Sequence, residues 1–213
     1  MIEAREALDR LREGNRRFVD GVRGGHPLAH LARRNELVDG QEPFAIILGC
    51  SDSRVPAEIV FDQGLGDLFV IRVAGNIVAA SQIGSVEFAA EMFGTPLVVV
   101  LGHSRCGAVM ATIEELMRPT GSASRNLHSI VGRIQPAVEA LLATDLRHDP
   151  EALLDQAVHA NVHASCDQLR HGSEIIEGRI QRNQLLVVGA EYSLDTGEVE
   201  FFDGVPESAT RGS

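Results

Sequence analysis

An α/β fold on a mainly parallel central sheet is the class this sequence predicts, and three observations carry it. Short apolar runs of strand length alternate along the chain with helical patterns, as strand–helix units of a parallel sheet do. Two of these runs, residues 44–49 (Phe-Ala-Ile-Ile-Leu-Gly) and 97–102 (Leu-Val-Val-Val-Leu-Gly), read as buried strands. Each opens directly into a turn rich in reactive side chains, Cys50-Ser51-Asp52-Ser53-Arg54 after the first and His103-Ser104-Arg105-Cys106 after the second. Open α/β sheets collect ligands beyond the carboxyl ends of strands where the strand order reverses. A strand order of 2-1-3-4 sets these two strands side by side at that point. The expected architecture is that sheet, an added antiparallel C-terminal strand, flanking helices and an N-terminal helical arm.

The elements follow in order. Residues 2–20 place Ile2, Ala4, Leu8, Leu11 and Phe18 near helical spacing. Gly14 inside this run suggests a break into two short helices. Residues 21–27 are glycine-rich and predict a loop, and residues 30–39 a short helical piece stopping at Gly40. The first strand is 44–49. Pro56 suits the first turn of a helix continuing over 57–63 and ending at Gly64. Residues 67–73 are the second strand, with a turn at Gly75-Asn76. A helix over 81–93 ends at Gly94, with Pro96 beyond it. The third strand, 97–101, leads through the His103–Cys106 turn into a helix over 107–117. A polar loop over 119–124 precedes two helices, around 126–145 and 150–179. Residues 184–190 are the fourth strand. Residues 198–202 are the fifth, a hairpin partner after Asp195-Thr196-Gly197.

Length and composition bound the rest. The chain has 213 residues, enough for one domain with a real core, expected over 1–213 with the arm at 1–40 and a frayed tail at 206–213. A net charge of -11 and the lack of long basic stretches disfavour nucleic acid and anionic membranes. No window approaches the roughly 20 apolar residues of a membrane span. The first residues lack the apolar core of a signal peptide. Three cysteines, an odd count without an export signal, point to a reducing cytoplasm where thiols serve metal or catalysis.

Cys50, His103 and Cys106 are the ligand types a divalent zinc prefers, and three protein ligands leave one position open, the catalytic rather than the structural arrangement. Buried free cysteines are common as small hydrophobes, but these two lie among Ser, Asp, Arg and His. Asp52 and Arg54 lie two apart in the same turn. A carboxylate held by arginine stays ionised and accepts hydrogen bonds. It can orient a metal-bound hydroxide, or occupy the fourth zinc position itself and close the site. His159, His163 and Cys166 share one face of a predicted helix at i, i+4 and i+7. A second metal there is outweighed by a face packing on the sheet or a partner. His26, His30, His128, His148 and His171 lie in polar stretches and are expected to be solvated; the sequence singles out none as a proton shuttle.

Cys50-Ser51-Asp52-Ser53-Arg54-Val55-Pro56 together with Gly102-His103-Ser104-Arg105-Cys106-Gly107-Ala108 resembles the β-class carbonic anhydrases. The resemblance covers nearly the whole chain, including Glu13-Gly14-Asn15-Arg16-Arg17-Phe18, Gly66-Asp67-Leu68-Phe69-Val70-Ile71-Arg72 and Val188-Gly189-Ala190-Glu191-Tyr192. It implies a zinc lyase that reversibly hydrates carbon dioxide to bicarbonate and a proton by zinc-bound hydroxide. One zinc per chain is implied, held by Cys50, His103 and Cys106, with Asp52 and Arg54 as the catalytic dyad. It also implies substrate-binding roles for Gln41, Phe69, Phe88 and the Gly107 amide, and dimers or tetramers with active sites at the dimer interface. Phe88 stands where the family often has tyrosine, which loses a hydroxyl. Ile47 stands where some members carry a tryptophan of an inhibitory bicarbonate pocket. Arg72 and Tyr192 resemble other parts of that pocket, but inhibition in that form is not expected. Alternatives on the same scaffold are hydrolysis of carbon disulfide or carbonyl sulfide, and a noncatalytic zinc-binding or sensor protein.

Overall fold

Every residue of the central strand, Leu97–His103, is buried. In chain order the strands are β1 (Ala45–Gly49), β2 (Leu68–Arg72), β3 (Leu97–His103), β4 (Leu186–Tyr192) and β5 (Val199–Asp203). In space they run β2-β1-β3-β4-β5. The first four are parallel and β5 pairs antiparallel with β4, as the sequence predicted. The structure is a computed structural model describing residues 2–22, 31–119 and 124–206. The expectations for His26, His30 and the tail from 207 onward lie outside the described residues.

The helices are α1 (Ala4–Val19), α2 (Leu31–Glu36), α3 (Ala57–Val60), α4 (Ala80–Met92), α5 (Gly107–Met117), α6 (Arg125–Leu142), α7 (Pro150–His171) and α8 (Glu174–Gln181). One sheet face, with Ile47, Val99, Leu101 and Val188, packs on Ala7, Leu8 and Leu11 of α1 and on Phe61. The other, with Ile46, Leu48, Val98 and Val100, packs on Val86 and Ala89 of α4 and Val162, Cys166 and Leu169 of α7. Successive side chains of a strand point to opposite faces. Both faces of β1 and β3 are covered, so their sequences are apolar without alternation. Each such side chain, fully buried, contributes about 1.5–3 kcal/mol. A third cluster joins Cys50 and Cys106 to Val109 and Ile113 of α5, Ile134 and Val138 of α6, and Leu153, Ala157 and Val158 of α7. Among the described residues, no helix is long and apolar enough to cross a membrane.

The structure departs from expectation in three places. α1 is one unbroken helix across Gly14. The glycine is there for close approach: a Cβ would stand 1.9 Å from the Phe61 carbonyl oxygen. Gly14→Ala is therefore expected to destabilise the protein by about 3 kcal/mol, the upper range for an overpacked core. Urea unfolding checks this, and an unchanged midpoint would mean the helix can shift freely. The helix expected over 150–179 is two helices. Gly172 ends α7, and Ser173 starts α8 by accepting the Ile176 N–H on its Oγ at 3.3 Å. Finally, β3 runs on through Gly102 and His103, which pair with Glu191 and Tyr192. His103 is thus held by the sheet itself rather than by a turn.

Candidate metal centre

β1 ends at Gly49 and β3 at His103, and these neighbouring parallel strands deliver Cys50 and His103 to the same end of the sheet. Cys106 follows three residues later as the residue preceding α5. The ligand atoms of Cys50, His103 and Cys106 lie within 4.8 Å of one another, and all three residues are buried.

His103 Nδ1 lies 3.0 Å from the Ser104 carbonyl. A carbonyl only accepts, so Nδ1 carries the proton and Nε2 presents its lone pair. That Nε2 is fully buried without a hydrogen-bond partner. An orphaned buried acceptor beside two sulfurs is what a metal-ligating imidazole looks like with its second nitrogen already fixed. The thiols are free and adjacent. A hydrogen bond from Cys106, helped by His103 and the Gly75 amide against the cost of burial, brings Cys50 down to about 4. The same hydrogen bond, together with burial, pushes Cys106 up. Burial alone would lower the His103 pKa, and the Cys50 charge outweighs it and leaves it raised. Two buried sulfurs thus compete for negative charge at one place, a conflict that a divalent cation bound between them would relieve. The Ala108 and Val109 amides at the start of α5 also favour the Cys106 thiolate. The donor set fits a soft-to-borderline divalent metal, zinc foremost.

The dyad forms as the sequence suggested. Asp52 Oδ1 accepts from the Arg54 backbone N–H and from Nε, both at 2.9 Å, and Oδ2 accepts from Nη2 at 2.7 Å. This fork holds the Asp52 carboxyl well below the usual carboxylate range. Asp52 Oδ2 also lies 3.9 Å from His103 Nε2, so the carboxylate borders the cluster while facing Arg54. Arg72 locks the turn from β2, with Nε donating to the Cys50 carbonyl at 3.0 Å and Nη2 to the Asp52 carbonyl at 2.6 Å. Sequence reasoning missed this role. The one signal for it is Arg72 itself, a charged residue closing an apolar strand.

Gly107 opens α5 beside Cys106, and a Cβ there would meet nothing within 4 Å. Gly107 is exposed. Of the other expected substrate contacts, Phe69 is not brought to the ligands within this chain. Phe69 pairs with Ile46, four residues before Cys50, a separation of about 13 Å along the strand. Phe69 packs with Phe88 and Phe93 at ring separations of 6.3 and 6.2 Å, and Phe88 is 51% exposed. Gln41 is exposed in a groove with Leu37, Val38, Leu65 and Phe93. All lie on the β2 side of the sheet.

The three α7 residues do not converge; among the described residues, the metal-type group is the Cys50 cluster. His159 Nε2 pairs with Glu191 at 2.5 Å and its ring stacks on Phe202 at 4.3 Å. His163 and Arg170 both pair with Asp203. Cys166 is buried, and burial pushes it up to about 12. The face packs on the sheet, as the blander reading held. His128, His148 and His171 are exposed. Glu191 raises the His159 pKa against the effect of burial. A raised folded pKa gives stability that is full below the unfolded value, about 6.5, and is lost as pH rises through the folded value. Urea unfolding should therefore show the gap between the parent and His159→Gln narrowing above about pH 6.5. A pH-independent gap would leave only the Phe202 stacking.

Comparison with known proteins agrees with this geometry. A model of the carbonic anhydrase family matches residues 45–199. Carbonic anhydrase 2 of Mycobacterium tuberculosis (strain ATCC 25618 / H37Rv) is 41% identical over 198 residues, covering 92% of this chain and 91% of that one. The structure of the β-carbonic anhydrase CcaA superposes with a TM-score of 0.73 at 27% identity, covering 96% of this chain and 94% of that one. A tetrameric β-carbonic anhydrase from Sordaria macrospora shares the fold, with a TM-score of 0.71 at 24% identity, covering 79% of this chain and 85% of that one. With a matching family model over most of its length, a buried Cys-His-Cys group at the sheet's reversal point and an Asp–Arg pair against it, this chain belongs to the carbonic anhydrase family, in its β class.

Proposed function

We propose that this chain reversibly hydrates carbon dioxide to bicarbonate and a proton, using one zinc ion held by Cys50, His103 and Cys106. The observation that carries the proposal is the buried three-ligand cluster with the Arg54-clamped Asp52 at its border. The chemistry zinc supplies when bound is Lewis acidity, which brings the ionisation of water from 15.7 to about 7.

The remaining work falls to the chain's own groups. Asp52, kept ionised by Arg54, accepts a hydrogen bond from the attacking water and so fixes which lone pair faces carbon dioxide. The Gly107 N–H, at the positive end of α5, donates to the oxygen on which negative charge develops. Apolar rings hold carbon dioxide, which offers little to a hydrogen bond. Phe69, whose own Cys50 lies about 13 Å along the strand, serves this from a second copy of the chain, together with Phe88, which packs on it, and Gln41. The homodimer is part of the proposal. β2 is an outer strand, and Phe88, Met92 and Leu65 leave apolar surface exposed beside it, the kind of edge that soluble proteins cover. Phe88→Asp is expected to give monomers with intact zinc content and activity reduced at least tenfold, of the order of one misplaced pocket wall. Sedimentation together with stopped-flow assay checks this, and active dimers would remove Phe88 from the interface.

A reducing cytoplasm fits the three free thiols. Cys50 and Cys106 are close enough for oxidation to pair them and cost the site its ligands. The direct test is stopped-flow hydration by zinc-loaded protein between about pH 6.5 and 9, with zinc measured on the same sample. Fast turnover with one zinc per chain is expected. Full zinc without hydration at any pH would overturn the proposal.

A further inference from the structure

Behind Cys50 lies a polar contact that the chemistry above does not use. Asn161, in the middle of α7, is 2% exposed. Its Nδ2 donates to the Gly75 carbonyl at 2.8 Å. One turn further along the same helix face, Ser165 Oγ donates to the Asn76 carbonyl at 3.1 Å. Both carbonyls belong to the short 3-10 turn Ala74–Asn76, and the Gly75 N–H donates to Cys50 Sγ at 3.3 Å. The chain of contacts therefore runs from α7, through one peptide turn, to a sulfur of the metal cluster.

The turn is built from the two residue types that most readily accept a left-handed backbone, and what surrounds it sets where it sits. Gly75 has φ 70° and Asn76 φ 42°. Space is also tight: a Cβ on Gly75 would stand 2.7 Å from Ile134 Cδ1 and 3.1 Å from Ala108 Cβ. Asn161 and Ser165 satisfy two buried carbonyls, which any tight turn in a core requires. The same turn carries the Gly75 N–H, which points at Cys50 Sγ.

We propose that Asn161, assisted by Ser165, is a positioning residue for the metal centre: by holding the carbonyl side of Gly75 and Asn76 it fixes the turn whose Gly75 N–H rests on the Cys50 sulfur. The inference rests on Cys50 being a metal ligand. An N–H···S bond draws charge from the thiolate and makes it a weaker donor. Two thiolates already neutralise a divalent ion. The acidity left to the metal then depends on how strongly each sulfur donates, and the α7 clamp tunes one of them.

The test uses full-length protein loaded with cobalt(II) in place of zinc, and reads the sulfur-to-cobalt charge-transfer absorption and the metal affinity by chelator competition. Asn161→Leu keeps the side-chain size and removes the donor; Ser165→Ala is the milder change. In both, the absorption is expected to move to lower energy, because the sulfur has lost its hydrogen bond. In Asn161→Leu the affinity nevertheless falls roughly 10- to 100-fold, because the ligand is no longer held in place and its more basic sulfur competes less well with a proton. In the zinc-loaded variant the pH midpoint of hydration rises. A merely structural Asn161 would lower stability without moving the absorption. Unchanged absorption energy and chelator midpoint in folded Asn161→Leu overturn the proposal; if that variant does not fold, Ser165→Ala decides alone by the same readouts. A parent protein with no sulfur-to-cobalt band would instead sink the metal-ligand reading itself, and the clamp with it.

Discussion

Cys106→Ser protein is expected to purify with little zinc and with no measurable carbon dioxide hydration. Cys106 is buried, its sulfur lies within 4.8 Å of the Cys50 sulfur and the His103 ring nitrogen, and the first amides of α5 favour its thiolate. A serine hydroxyl in that place keeps its proton at neutral pH and offers a poor donor to zinc. Loss of a contact that only orients a ligand costs roughly 10- to 100-fold in affinity, and removal of the ligand itself should exceed that range. Metal analysis and chelator competition on parent and variant measure the difference. Because a bound ligand stabilises the folded state by mass action, the variant should also lose the rise in Tm that zinc gives the parent. Full zinc occupancy in Cys106→Ser would take this residue out of the ligand set.

The second large effect is at the dyad. Asp52→Ala should keep its zinc and lose about 100-fold in kcat/KM, the upper range for a group acting beside the metal. Arg54 separates charge from geometry. It depresses the Asp52 pKa, so its removal lets that pKa climb back toward about 4. The carboxylate stays ionised at neutral pH either way, so a loss of rate in Arg54→Ala must come from orientation. The fork from Nε and Nη2 onto both carboxylate oxygens supplies that orientation. A lysine cannot reproduce a planar fork, and Arg54→Lys should therefore fall within a few-fold of Arg54→Ala. Turnover at the parent rate in Asp52→Ala, with zinc retained, would end the dyad's catalytic role. Full rescue by lysine would reduce Arg54 to a point charge.

Much of this site is legible in the chain because its parts are local. The apolar runs ending at Gly49 and Gly102, the Cys50–Arg54 turn and the Cys106–Gly107 helix start each lie within a few residues, and a parallel sheet then decides where they meet. The boundaries of α5 could be read directly, since a glycine-led helix after a strand carries its own punctuation. The split between α7 and α8 at Gly172-Ser173 was equally local, and the helical periodicity on either side masked it.

By itself, the sequence determined the α/β class, the strand order, the three candidate metal ligands and the Asp52–Arg54 pair. Periodicity and turn chemistry act over a few residues and need no partner to be recognised. Only the tertiary structure decided that Gly14 serves close packing against the Phe61 carbonyl, that Arg72 locks the Cys50–Asp52 turn, and that Asn161 reaches Gly75 across 86 positions of chain. It also decided that Phe69 sits about four residues along the sheet from its own Cys50. The physical reason is the same in each case. A side chain's hydrogen-bond partner or packing neighbour is chosen by how separate elements dock, and docking leaves no signature in the spacing of residues along the chain.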